Sequence, residues 1–122
     1  MKVAYLMSGV IGGLKGKNFE ASDLSIRKKI IEYTSKSHSH LNQDNLKIDY
    51  YIYSWEPELK DTYIKFYNPK SIKCTNQITF DMPSHFSNYS DNPRIQAHYS
   101  RWFGALEVSK LCMDSNIEYD LV

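Results

Sequence analysis

The segment Val3-Ala4-Tyr5-Leu6-Met7, opening directly into Ser8-Gly9-Val10-Ile11-Gly12-Gly13, constrains this chain more than any other feature. An apolar run without alternation suits a strand covered on both faces, as in a parallel sheet flanked by helices. The glycine cluster ends that strand in a loop at its carboxyl end. Ile48 to Tyr53 reads as a second strand, rich in aromatic and β-branched residues, and Ser71 to Thr75 as a shorter third. Between the first two, Ser22 or Asp23 caps a helix whose apolar positions Leu24, Ile26, Ile30, Ile31 and Tyr33 keep helical spacing. Pro57 opens a second helix with Leu59, Tyr63, Phe66 and Tyr67 on one face, stopped by Asn68-Pro69. The longest helical pattern runs from Arg94 to about Ser115, with Ile95, Tyr99, Trp102, Phe103, Leu106 and Cys112 as one broad apolar stripe. Ile117 to Val122 reads as the beginning of a fourth strand.

This order predicts an α/β fold: a three-layer sandwich with a mainly parallel sheet of about four strands. The first strand is expected at the centre, between Ile48–Tyr53 and Tyr119–Val122. At 122 residues the chain has room for a single domain, residues 1–122. A buried parallel strand normally hands the chain to a loop at its carboxyl end, so a stop at Val122 suggests the amino-terminal part of a longer protein. An incomplete fourth strand exposes a sheet edge and leaves homo-oligomer formation through it open.

Charge and composition narrow the function classes. Fifteen basic and fourteen acidic residues leave a net charge of +1, which argues against a dedicated nucleic-acid binder. No stretch approaches the ~20 apolar residues of a membrane span, and Ser8, Gly9, Gly12 and Gly13 break the only run resembling a signal peptide. Cys74 and Cys112 lack any metal-binding spacing and read as reduced thiols of a soluble, cytoplasmic protein.

The candidate site lies at the first strand's carboxyl end. Ser8, Gly9, Gly12 and Gly13 bring backbone N–H groups to an anion, and Lys15 (or Lys17) adds charge, although the spacing fits neither a Walker A loop nor G-x-G-x-x-G. A mobile glycine loop with solvated lysines is the equal competing reading. Trp55, directly after the second strand, offers a ring to a base or sugar at the same edge; packing beneath the following helix is the commoner fate. Arg101, one of three arginines, suits bidentate phosphate contact. His38 and His40 read as solvated, and Asp120 alone makes no metal motif. The Pro-, Ser- and Asn-containing stretch from Thr79 to Pro93 is long for a loop in a compact domain.

Four patches taken together carry a resemblance: Met1-Lys2-Val3-Ala4-Tyr5-Leu6-Met7-Ser8-Gly9, Tyr51-Ile52-Tyr53-Ser54-Trp55, Tyr99-Ser100-Arg101-Trp102-Phe103 and Tyr119-Asp120-Leu121-Val122. The chain resembles the amino-terminal portion of a group of glycosyltransferases from bacteria, phages and large viruses. The resemblance implies the Rossmann-like half of a GT-A-type fold and a nucleotide-sugar as partner, with Ser8, Gly9 and Arg101 on the nucleotide side. It departs in the first loop, where many members place Gln or Arg after Ser-Gly. It implies that an acidic motif follows just beyond Val122, so that a divalent cation (Mn or Mg) serves the full-length protein and none is expected in this chain. The alternative from another class is a non-catalytic Rossmann-like module that binds a nucleotide or a protein partner.

Overall fold

The structure, a computed structural model, describes residues 1–10, 23–85 and 92–122. Strand β1 (Lys2–Gly9) leads to helix α1 (Leu24–Ser39), strand β2 (Lys47–Ser54), a 3-10 turn (Pro57–Leu59), helix α2 (Lys60–Tyr67), strand β3 (Ser71–Cys74) and helix α3 (Pro93–Asp114). The strands form a parallel sheet in the order β1-β2-β3, with Tyr5 level with Tyr50 and Ile52 level with Ile72. Among the described residues the sheet has three strands, not four, and β2 rather than β1 lies at its centre. Residues 117–122 do not form a strand. They reach the far side of β1 and make one parallel bridge, Val3 with Leu121, in which the Ala4 N–H donates to the Leu121 carbonyl at 2.9 Å.

Strand residues point alternately to the two faces, and each face has its own core. Ala4, Leu6, Tyr51 and Tyr53 face α3 and meet Phe103, Val108, Leu111 and Cys112. Tyr5, Met7, Tyr50 and Ile52 face the other way and pack with Ile31 of α1 and Leu59, Tyr63 and Tyr67 of the second helical segment. Three layers follow from this division. The apolar face of residues 59–67 matches the sequence pattern closely, whereas Ile26 and Tyr33 of α1 stand exposed.

Local chemistry sets the helix ends. Asp23 caps α1, its Oδ1 accepting from the Ser25 N–H at 3.2 Å; Ser22 lies outside the described residues. Asn68 ends α2 in the left-handed conformation, its N–H returning to Ile64 O. Asn92 caps α3 through Oδ1, which accepts from the Arg94 and Ile95 N–H groups.

Polar links tie the layers together. The Arg27 guanidinium of α1 holds the buried Glu56 carboxylate, just after β2, at 2.6 Å, and Glu58 at 3.0 Å. On the opposite face Glu107 of α3 accepts from Lys73 of β3 and from Lys110, each at 2.8 Å. The chain end is fastened by Tyr119, whose hydroxyl donates to Asp49 at 2.8 Å and lies 2.7 Å from the Tyr51 hydroxyl. Burial, reinforced by these bonds to Tyr51 and Asp49, pushes the Tyr119 hydroxyl far above the usual phenol range. Asp120 has a structural role, its Oδ2 accepting from the Lys2 N–H at 2.6 Å.

Candidate functional site

The site is built where the chain reverses its walk across the sheet. From β1 it proceeds through α1 and α2, both on one face, to β2 and β3. It then crosses on α3, over the other face, to the far side of β1. In open α/β sheets such a reversal leaves a crevice outside the carboxyl ends of the strands, where ligands commonly bind. Here the crevice is a cavity of about 190 Å³ lined by Ser8, Gly9, Val10, Trp55, Gln77, Ala97, Ser100 and Arg101.

Each wall has a physical cause. Gly9 has φ +132°, a conformation that side-chain-bearing residues rarely adopt, so the exit from β1 requires glycine at this position. Gly104 brings α3 close to the strand. A Cβ on that residue would sit 3.3 Å from both Cβ and Oγ of Ser8 and 3.7 Å from Tyr53. The segment after β3 is laid along α3 by Gln96, which exchanges two 2.8 Å hydrogen bonds with the Phe80 backbone, and by Gln77, which donates to Ser100 Oγ at 2.7 Å.

Four of the residues singled out from the sequence, Ser8, Gly9, Trp55 and Arg101, line this one cavity. Gly12, Gly13 and Lys15, together with Lys17, lie outside the described residues. Trp55 is only 6% exposed. It packs edge-on against Tyr53, with ring centroids 5.2 Å apart, and against Phe103 at 5.5 Å. Its cover is therefore α3, not the helix that follows it in sequence, and it forms a wall of the cavity rather than a free stacking surface. Gln77 bears no mark in the sequence, and Ser100 stands there only as the neighbour of Arg101. Nothing in the spacing of a Gln after a short strand announces that it will meet a helix twenty-three residues later.

Among the described residues Arg101 is the one charged group in the lining, and no carboxylate lines the cavity. Glu56, the nearest acid in sequence to Trp55, is engaged by Arg27. The polar groups are therefore one-sided: a guanidinium, the Ser8 hydroxyl and the backbone at Gly9, with the Gln77 carboxamide and Ser100 hydroxyl bonded to each other. They are set in a lining that is otherwise mostly apolar and suited to an anionic group beside an apolar one. Below the same turn a second hollow of about 160 Å³ opens between Gly9-Val10 and Tyr63, whose hydroxyl burial pushes well above the ordinary phenol value.

Among the described residues no group of three or more His, Cys, Asp or Glu side chains converges as a metal site. Cys74 and Cys112 are free thiols, each raised by burial. His38 is half-buried rather than fully solvated: its ring lies 5.1 Å from Tyr5 and 5.7 Å from Tyr67, and Nδ1 is 3.2 Å from the Tyr67 hydroxyl. His40 and His98 are exposed. Among the described residues no helix is long and apolar enough to cross a membrane. No protein-family model matches the chain, and neither a curated protein nor a solved structure matches it.

Proposed function

We propose that the chain is the nucleotide-side portion of a glycosyltransferase that uses a nucleotide-sugar donor, and that the cavity at the carboxyl ends of β1 and β2 receives the anionic part of that donor. One observation supports this reading above the others. Residues chosen from three separate sequence patches for a nucleotide-binding role line the same cavity, at the reversal of the sheet, with a guanidinium and, among the described residues, no acid.

The assignments follow from the chemistry of each group. Arg101 offers paired N–H donors to a phosphate, which a lysine could not supply in fixed geometry. Ser8 Oγ and the backbone at Gly9 approach the same space from the strand side, with Gly9 lacking a side chain that would block it. Trp55 gives an apolar wall. At about 190 Å³ the cavity is smaller than the ~300–1,000 Å³ typical of pockets that enclose a whole drug-sized ligand, so it holds one moiety of the donor rather than all of it. Sugar transfer needs the charge of the leaving diphosphate stabilised, and Arg101 is the group in this lining that can contribute. A divalent cation has no ligand set among the described residues, and no step is derived through one.

Calorimetric titration with UDP, GDP and CDP, with and without manganese, tests the reading. Binding of at least one nucleoside diphosphate in the range of about 0.1–1 mM is expected, weakened at least ~10-fold by Arg101→Ala with the circular dichroism spectrum unchanged. No binding to any of the three would move the assignment to a protein-interaction module. Binding indifferent to Arg101→Ala would place the nucleotide elsewhere.

A further inference from the structure

Helix α3 has two apolar faces, and only one of them meets the sheet. Gly104, Val108, Leu111 and Cys112 turn inward, whereas Trp102, Leu106 and Met113 on the opposite side are 74%, 52% and 75% exposed, with Tyr99 beside them at 40%. A helix apolar on both sides is ordinarily covered on both. The outer residues also follow a finer pattern. Trp102, Leu106, Ser109 and Met113 are spaced four, three and four apart, the a/d register of a helix that packs lengthwise on another helix. Ser109 is half-buried, and Tyr99, three residues before Trp102, continues the register with its ring stacked on Phe80 at 5.7 Å.

We propose that this seam is a homodimer interface in which α3 packs antiparallel on α3 of a second copy about a two-fold axis. A second copy suits the seam because one choice of axis makes it self-complementary. Antiparallel helices set each a position against a d position. Placing the axis level with residues 107 and 108 puts Trp102 against Met113 of the partner copy and Leu106 against its Ser109. Both contacts occur twice by symmetry. The first pairs a thioether with an aromatic ring, and the second fits a branched side chain over a small one. Ser109 can be covered because its hydroxyl is satisfied within its own helix, donating to Ala105 O at 2.8 Å. Lys110, flanking the seam, is already held by Glu107 at 2.8 Å.

The area is adequate for a weak dimer. Full coverage of the quoted exposures would bury about 500 Å² per copy, hence at most about 1,000 Å² in all, the size of a weak, transient interface. The seam lies on the side of α3 away from the cavity, so the dimer leaves the nucleotide site open and stands or falls independently of it.

Sedimentation velocity of the 122-residue chain between about 5 and about 500 μM is expected to show a monomer–dimer equilibrium with a micromolar midpoint. Trp102→Lys and Leu106→Lys should each weaken association at least ~10-fold while leaving the circular dichroism spectrum unchanged. Tyr33→Lys, at an exposed aromatic on α1, should leave association intact. Orientation is read by cysteine pairs, with the unsubstituted chain as the blank for Cys74 and Cys112. Trp102→Cys combined with Met113→Cys should oxidise to a covalent dimer. Trp102→Cys alone should not, because the two copies of residue 102 would be about 16 Å apart along the axis. A chain monomeric at the highest concentration, a dimer that survives Leu106→Lys, or self-crosslinking of Trp102→Cys would each overturn the proposal.

Discussion

Gly104 is the most informative single position, because two opposing effects of known size meet there. Replacing an interior helical glycine by alanine ordinarily stabilises a helix by about 1 kcal/mol. Here the added methyl would lie 3.3 Å from Ser8 Cβ and Oγ, a few tenths of an ångström inside the ~3.5–4.0 Å of comfortable carbon contact. Whether the neighbour can yield decides the sign. Ser8 Oγ can rotate, but Ser8 Cβ is fixed to a strand held in register, Ser8 level with Tyr53 and Gly9 O accepting from the Trp55 N–H at 3.3 Å. The helix must then give way, at the ~1–3 kcal/mol typical of overpacking. Gly104→Ala is therefore expected to lose about 1 kcal/mol net, lowering the melting temperature by about 3–6 °C for a domain of this size. Gly104→Leu should lose more. Urea unfolding read by circular dichroism measures both, and a Ser8→Ala/Gly104→Ala cycle should recover about 0.5 kcal/mol or more of the loss if the Oγ contact contributes. A Gly104→Ala chain stabilised by the full helix-propensity gain would refute the reasoning, since it would show that α3 does not press on β1 at the site.

Three further perturbations follow from the polar links. Arg27→Met strips the buried Glu56 carboxylate of its 2.6 Å partner and should cost about 2–4 kcal/mol in urea unfolding; a loss below about 0.5 kcal/mol would show that the pair is surface-like. Tyr119→Phe removes the hydroxyl shared with Tyr51 and Asp49, so it should destabilise by about 1–3 kcal/mol and speed hydrogen exchange at the Ala4 amide, which is bonded to Leu121. Lys110, and then Lys73, hold the Glu107 carboxyl below the ordinary glutamate value. Because that value is depressed on folding, the stabilisation is complete above the unfolded value of about 4.3 and lost as pH falls through the folded one. Glu107→Gln should therefore cost up to about 1 kcal/mol at pH 7 and flatten the stability loss between about pH 5 and pH 3.

The elements themselves were legible because they depend on local rules. The unbroken run from Val3 to Met7, the aromatic and β-branched run to Tyr53, Pro57, the Asp23 cap and the Asn68 stop act within a few residues, and each sits where its pattern placed it. The parallel, layered architecture followed from their alternation. Membership of the cavity was legible only in part: Ser8 and Gly9 because a strand's carboxyl end is defined by the strand, Trp55 and Arg101 because of their chemistry. Gln77 and Gly104 carried no such mark, and Ser100 only that of standing beside Arg101, since their roles exist only once α3 lies across β1.

Periodicity showed that α3 is apolar, and tertiary packing divided that apolarity between two faces. One broad stripe was expected, yet Phe103 and Cys112 turn toward the sheet while Trp102 and Leu106 turn away. A 3.6-residue period states which residues share a side but not which side meets the strands. That choice belongs to the small residue at Gly104, which allows the closest approach to Ser8 and Tyr53. Likewise, the polar ring of His38 read as solvated until the fold set it among Tyr5, Tyr50 and Tyr67. The expected fourth strand became a single bridge at Leu121, held by the side chains of Tyr119 and Asp120. Local sequence determined what each segment could be; long-range contact, which no short window contains, decided what each segment faces.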